Sequence, residues 1–261
     1  MNYKIISMDF DGTLLTTDKK ITERTKNILL KYRENNHIIV GVTARNLTSL
    51  KRVCDITMFN YLVLNNGTYI YDVENETGED IGNLDNETVS NLTNYFKNVS
   101  QAIYYCSPEN YYIYSTKIDK PHDYFIKINS HLDLKEPIAR MNIYGENTNE
   151  VIKYKQDIEE NFKNIDSIIM EDSDRKPEKK WIAINPKGIN KLVTLEKLCK
   201  KLNISLKDVI FFGDGPNDVE IIQQVGLGIA MENALPEVKK LAKKITLSNN
   251  DDGIAIFLEN N

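Results

Sequence analysis

An α/β fold, with a parallel-sheet core interrupted by an inserted α+β domain, is what this 261-residue sequence predicts. Three observations predict it. Apolar runs at both ends of the chain stop abruptly at acids, glycines or hydroxyls and are followed by helix-like periodicity, the rhythm of a parallel sheet with crossover helices. The runs are short and continuous rather than alternating, as strands buried on both faces require. Between residues 82 and 185 that rhythm gives way to shorter strand-like and helical pieces. The core is therefore expected from residues 1–81 and 186–261, with 82–185 inserted.

The first strand runs from Tyr3 to Met8 and ends in Asp9-Phe10-Asp11-Gly12-Thr13. Residues i and i+2 share a face of a strand, so Asp9 and Asp11 crowd each other unless one is protonated or a cation lies nearby. A hard divalent ion resolves the conflict and would let Asp9 attack an electron-poor phosphorus without repulsion from the ester oxygens. Gly12 allows a sharp turn and close approach to an anion, with its own N–H and that of Thr13 as donors. The plainer alternative is an Asx-rich turn closing a strand.

Thr22 to Tyr32 supplies the first crossover helix, and His37 to Val42 the next strand. That strand ends in Thr43-Ala44-Arg45, before a periodic stretch from Asn46. A hydroxyl at that point can bind phosphate beside a helix N-terminus, or simply cap the helix. Tyr61–Leu64 reads as a further buried strand before the turn Asn65-Asn66-Gly67 and the segment Tyr69–Tyr71.

In the insertion, helices are expected at Thr88–Phe96 and Asn149–Asn161, and strands at Ile103–Tyr105, Tyr111–Tyr114 and Ala139–Tyr144. Its tyrosines, 104, 105, 111, 112 and 114, read as packing residues of half-buried strands before they read as a stacking platform. The crossings, Glu76–Asn83 and Asn185–Gly188, are expected to hinge.

Past the insertion, Lys187 and Lys191 are equivalent by local sequence, and either can serve as a compact charge on phosphoryl oxygens. Val209–Phe212 is a buried strand that ends in Gly213-Asp214-Gly215-Pro216-Asn217-Asp218. Asp214 and Asp218 offer hard oxygen ligands, and Pro216 suits the first turn of a helix through Ile222. Ligands of open α/β sheets gather outside strand carboxyl ends, so residues at 9, 43 and 214 are expected in one pocket.

This ordered set resembles the haloacid dehalogenase-like superfamily, and more narrowly its Cof-type sugar-phosphate phosphatases. The carrying segments are Asp9–Leu15, Thr43-Ala44-Arg45, Lys191, Gly213–Asp218, and the tail Gly228–Ala234 with Ser248–Ala255. The resemblance implies a Rossmann-like core and a cap that closes over it. It implies Asp9 as nucleophile and Asp11 as general acid/base, with Gly12, Thr43, Lys191 and Asn217 binding phosphate. It further implies Mg²⁺ held by Asp9, the Asp11 carbonyl and Asp214, with Asp218 acting through the metal's water shell. Ala44, Arg45, Asn66 and Gly67 are candidate substrate contacts. Ala44, Leu192 and Glu232 each stand where the family commonly has glycine.

The expected activity is Mg²⁺-dependent hydrolysis of a small phosphomonoester. A phosphotransferase or mutase using the same aspartyl-phosphate, and a non-catalytic ligand-binding protein on this fold, are the alternatives. The formal charge of −5 and the lack of aromatic-interleaved basic stretches argue against a nucleic-acid partner. No 18-residue apolar span or leader is evident, and three scattered cysteines suit a reducing compartment. No membrane partner and a cytoplasmic location are expected.

Overall fold

Strand β1 (Ile5–Met8) is fully buried, its one polar side chain, Ser7, donating to the Ile210 carbonyl at 2.7 Å. The computed structural model describes residues 3–115, 117, 123–171 and 180–261. From β1 the chain passes through α1 (Glu23–Glu34), β2 (Ile38–Val42) and the short α2 (Leu47–Lys51) to β3 (Tyr61–Leu64). It then folds back antiparallel through β4 (Tyr69–Asp72) and β5 (Thr77–Asp80). Thr22 caps α1 by accepting from Thr25 N, and Asn46 caps α2 by accepting from Ser49 N.

The chain then enters a second sheet through α3 (Asn86–Phe96), β6 (Ala102–Cys106), β7 (Tyr111–Tyr114), β8 (Phe125–Lys127) and β9 (Arg140–Tyr144). Helix α4 (Thr148–Asn161) leads to β10 (Ile165–Glu171) and β11 (Lys180–Pro186). The sheet order is β10-β11-β9-β6-β7-β8. Strand periodicity divides its faces. Ile103, Tyr105, Met141, Ile143, Ile182 and Ile184 form one hydrophobic cluster with Leu92, Phe96, Val151 and Ile158 of the two helices. Tyr104, Cys106, Tyr111, Arg140, Asn142, Tyr144 and Trp181 occupy the opposite face.

After β11 come α5 (Lys191–Lys201), β12 (Val209–Gly213), α6 (Val219–Gln224), β13 (Leu227–Ala230), α7 (Pro236–Leu241), β14 (Lys244–Ile245) and α8 (Gly253–Glu259). They return to the first sheet, whose order is β14-β13-β12-β1-β2-β3-β4-β5. This is an α/β core with an inserted cap sheet. The order reverses beside β1, which pairs in parallel with both β2 and β12. That switch point is where an open sheet of this kind forms its ligand crevice.

Two local expectations change. Pro216–Asp218 form a 3-10 turn before α6 rather than its first α turn. Thr77–Asp80, read from sequence only as part of the crossing Glu76–Asn83, are a paired strand of the core sheet. The crossings lie side by side, since a Cβ on Gly82 would come 2.4 Å from Ile189 Cδ1. Among the described residues no helix is long and apolar enough to cross a membrane.

Candidate active site

Parallel pairing of β1 with β12 sets the site. Met8 lies opposite Phe212, and Asp9 N donates to the Phe212 carbonyl at 3.0 Å, so the polar segments after both strands emerge together. One ligand oxygen each from Asp9, Asp214 and Asp218 lies within 4.8 Å of the others, and all three residues are buried. Lys191, 1% exposed, places Nζ 3.0 Å from Asp9 Oδ1 and 2.8 Å from Asp218 Oδ1. Lys187 is instead exposed and paired with Asp166 at 2.9 Å, so tertiary position separates two lysines that sequence leaves equal.

Asp9 and Asp218 thus share one ammonium, with Asp214 beside them in the cluster. Burial raises the Asp9 carboxyl well above its ordinary value; Lys191 opposes that shift, while Asp218, Asp214 and Asp11 add to it. Burial would lower the Lys191 ammonium, but Asp218 and Asp9 drive it above its ordinary value instead. An all-oxygen, net-anionic cluster fits a hard divalent cation, which would offset the remaining charge.

The loops around the cluster are built to hold it. Asp214 Oδ1 accepts from Thr13 Oγ1 at 2.6 Å. Asp218 Oδ2 accepts from the backbone N–H groups of Asp214 and Gly215, both at 3.1 Å. Asp218 therefore orders the turn and neutralises Lys191 as well as facing the cluster. Gly12 has φ +82°, and a Cβ there would lie 2.4 Å from Asp214 Oδ2. Asn233 in the tail, not singled out from sequence, donates to the Gly12 carbonyl at 2.7 Å.

Asp9, Asp11, Thr43, Ala44, Arg45, Asn66, Lys191, Asp214 and Asn217 all line one cavity of about 470 Å³ between core and cap. Gly12 and Asp218 lie behind its wall, and Gly67 faces elsewhere: a Cβ on it would meet the Asn190 carbonyl at 2.2 Å. Thr43 is buried, and its oxygen accepts from Arg45 N at 3.1 Å, leaving the O–H to donate. Asn66 holds a left-handed backbone, φ 58°, and accepts from Asn217 Nδ2 at 2.9 Å.

Arg45 grips Asp11 from Nε and Nη2, at 2.6 and 2.8 Å, and Lys19 lies 3.2 Å from the same carboxylate. Burial would raise the Asp11 carboxyl, but hydrogen bonding and charge from Arg45, with Lys19 behind, carry it below its ordinary value. Arg45 thus meets Asp11 directly.

The cap completes the cavity with Tyr104, Tyr111, Tyr144, Trp181, Arg140 and Asn142. Tyr104 and Tyr111 therefore face the site, whereas Tyr105 and Tyr112 pack under the helices. Arg140 Nη2 donates to the Ala44 carbonyl at 2.7 Å, and Tyr111 Oη accepts from Asn46 N at 3.0 Å, joining cap to core. Sequence reasoning missed Arg140; the signal is a lone charge within the apolar run Ala139–Tyr144.

A switch-point cluster of aspartates with a buried lysine, under an inserted cap, defines a hydrolase of the phosphoaspartate type. The family profile of haloacid dehalogenase-like hydrolases matches residues 6–258, and the chain belongs to that family. It is 26% identical to the 5-amino-6-(5-phospho-D-ribitylamino)uracil phosphatase YitU of Bacillus subtilis, covering 98% of this chain and 96% of that protein. It is also 26% identical to the HMP-PP phosphatase of Yersinia pseudotuberculosis, covering 98% and 94%. A crystal structure of a haloacid dehalogenase-like hydrolase from Bacteroides thetaiotaomicron superposes with a TM-score of 0.83 at 25% identity over 99% of each chain.

Proposed function

We propose that this protein is a Mg²⁺-dependent, Cof-type phosphatase of small phosphomonoesters, sugar phosphates or similar metabolites, acting in the cytoplasm. The observation that carries this reading is that Asp9, Asp11, Lys191 and Asp214 line one cavity, with Asp218 of the aspartate cluster directly behind them. The names of the relatives, phosphatases of phosphorylated small molecules, agree with it.

Asp9 attacks phosphorus, forming the Asp9–phosphorus bond as the bond to the leaving oxygen breaks. Asp11 gives that oxygen its proton, then withdraws one from the water that cleaves the acyl phosphate, so aspartate is regenerated and inorganic phosphate leaves. Arg45 and Lys19 hold the Asp11 carboxyl below its ordinary value, which favours the carboxylate that the second half needs. An arriving anionic ester favours its protonation for the first. Thr43 donates its O–H to the phosphoryl oxygens, Lys191 offsets their charge, and Asn217 reaches them from its bond to Asn66. Mg²⁺ bound by Asp9, Asp214 and the Asp11 carbonyl would polarise the phosphoryl group. Residues 82–185 act as the cap that excludes bulk water.

The test is phosphate release from a panel of small phosphomonoesters, with Mg²⁺ or EDTA, for wild type beside Asp9→Asn. Metal-dependent release that is lost in Asp9→Asn is expected. Release that survives the substitution defeats the covalent mechanism, and label passing to an added alcohol instead of water marks a transferase.

A further inference from the structure

Arg140 lies on β9, in the row of the cap sheet nearest the core, and is 5% exposed. Its Nη1 donates to Asn142 Oδ1 at 2.9 Å and its Nη2 to the Ala44 carbonyl, but among the described residues nothing accepts from its buried Nε. Both partners are neutral, and among the described residues no carboxylate pairs with it. Burial raises its ionisable neighbours Cys106, Tyr111 and Tyr144, Tyr111 to about 12, which favours their neutral forms. Asp11, the nearby catalytic candidate, is already held by Arg45 and Lys19.

A buried guanidinium without an anion is costly and persists where something else supplies the charge. The guanidinium carries five N–H donors in a planar fork suited to an oxyanion. Two are committed to Asn142 and Ala44, Nε is shielded and has no acceptor among the described residues, and Arg140 lines the cavity, where the second hydrogens of its Nη groups remain as donors.

The wall around this fork is flat and aromatic. Tyr144 stacks on Trp181 with centroids 5.4 Å apart at 15°, and Tyr111 stacks on Phe125 at 5.2 Å and 23°. All four rings line the cavity. A planar ring needs flat surface of the kind these stacked rings give.

We infer that Arg140 forms a second anion subsite, and that the leaving group is a flat ring bearing an oxyanion, carboxylate or phosphate, besides the phosphoryl group removed at Asp9. This rests on the phosphatase reading above and deepens it, giving the cap a specificity-determining residue.

The experiment compares kcat/KM for phenyl phosphate with the 2-, 3- and 4-carboxyphenyl phosphates and 1,3-phenylene bisphosphate, in wild type, Arg140→Lys and Arg140→Met. Wild type is expected to prefer at least one dianionic-ring substrate by roughly ten- to a hundredfold, as a charge-assisted bidentate contact provides. The carboxylate and bisphosphate arms tell which oxyanion the subsite takes. Arg140→Met is expected to bring the ratio to near one, and Arg140→Lys to retain part of it. Equal rates for all esters in wild type would overturn the inference while leaving the phosphatase reading intact. So would an equal loss on every ester in Arg140→Met, the mark of a residue that only fastens cap to core. Absence of turnover on every ester, including a panel of sugar phosphates, would overturn both.

Discussion

Arg45 holds Asp11 by two parallel hydrogen bonds, Nε to Oδ2 at 2.6 Å and Nη2 to Oδ1 at 2.8 Å. The same guanidinium donates from Nη1 to Ser49 on α2 at 3.0 Å, so the helix after β2 orients the carboxylate after β1. Arg45 therefore positions the carboxylate proposed as acid and base.

Loss of Asp11 in Asp11→Asn is expected to lower kcat by about 10²–10⁴, the usual worth of a positioned acid/base. Arg45→Met is expected to cost roughly tenfold, a change of about 1.4 kcal/mol. The double variant should be no slower than Asp11→Asn alone, since groups acting as one unit are not additive. Steady-state rates of the four proteins decide it. Full multiplication of the two losses would mean that Arg45 touches substrate independently.

The cluster of Asp9, Asp214 and Asp218, two of them paired with Lys191, leads to a second expectation, measured without substrate. A cation that binds the folded site and not the unfolded chain stabilises by RT ln(1 + [L]/Kd), about 2.7 kcal/mol at a hundredfold excess over Kd. Mg²⁺ should then raise Tm by several degrees relative to EDTA, taking about 2–4 °C per kcal/mol for a chain of this size. Asp214→Asn should abolish that increment. Equal melting temperatures with Mg²⁺ and EDTA in wild type would remove the metal from the proposed mechanism.

Asp9, Thr43 and Asp214 are legible from sequence because each stands at or just past the end of a short, mostly apolar run that reads as a buried strand. Topology then does the rest: parallel strands bring residues 9, 43 and 214 to one edge of a sheet. Lys191 is separable from Lys187 only by burial, which tertiary packing decides. The partnership of Arg45 with Asp11 spans 34 residues, and nothing local announces it. Of the cap, β6, β7 and β9 are readable from their aromatic and β-branched runs. Strand β10 is not, because Ile165–Glu171 break the alternation and most of its residues are only partly buried at the sheet's edge. The cavity-facing set of tyrosines becomes readable once register is known, since a shift of one residue would exchange Tyr104 and Tyr111 for Tyr105 and Tyr112.

The docking of the cap offers a pH dependence away from the aspartate cluster. Glu136 accepts from Ser107 Oγ, Asn110 Nδ2 and Tyr112 Oη, the last at 2.7 Å, closing the turn between β6 and β7. That turn meets the core, where the Ser107 carbonyl accepts from Asn65 Nδ2 at 3.2 Å and from Asn46 Nδ2 at 3.4 Å. Burial would raise the Glu136 carboxyl, but its three donors, Ser107 first, carry it below the ordinary value of 4.5. A carboxyl lowered by folding contributes stability above its unfolded value and loses that contribution as pH falls through the folded one. Glu136→Gln, which keeps the shape and drops the charge, is therefore expected to be less stable than wild type at pH 7 by about 1–2 kcal/mol. The gap should close as pH is lowered from about 5 to 3, because wild type loses its advantage when Glu136 takes up a proton. Urea unfolding of both proteins across that range measures it; a gap independent of pH would show that the carboxylate charge does not support the turn.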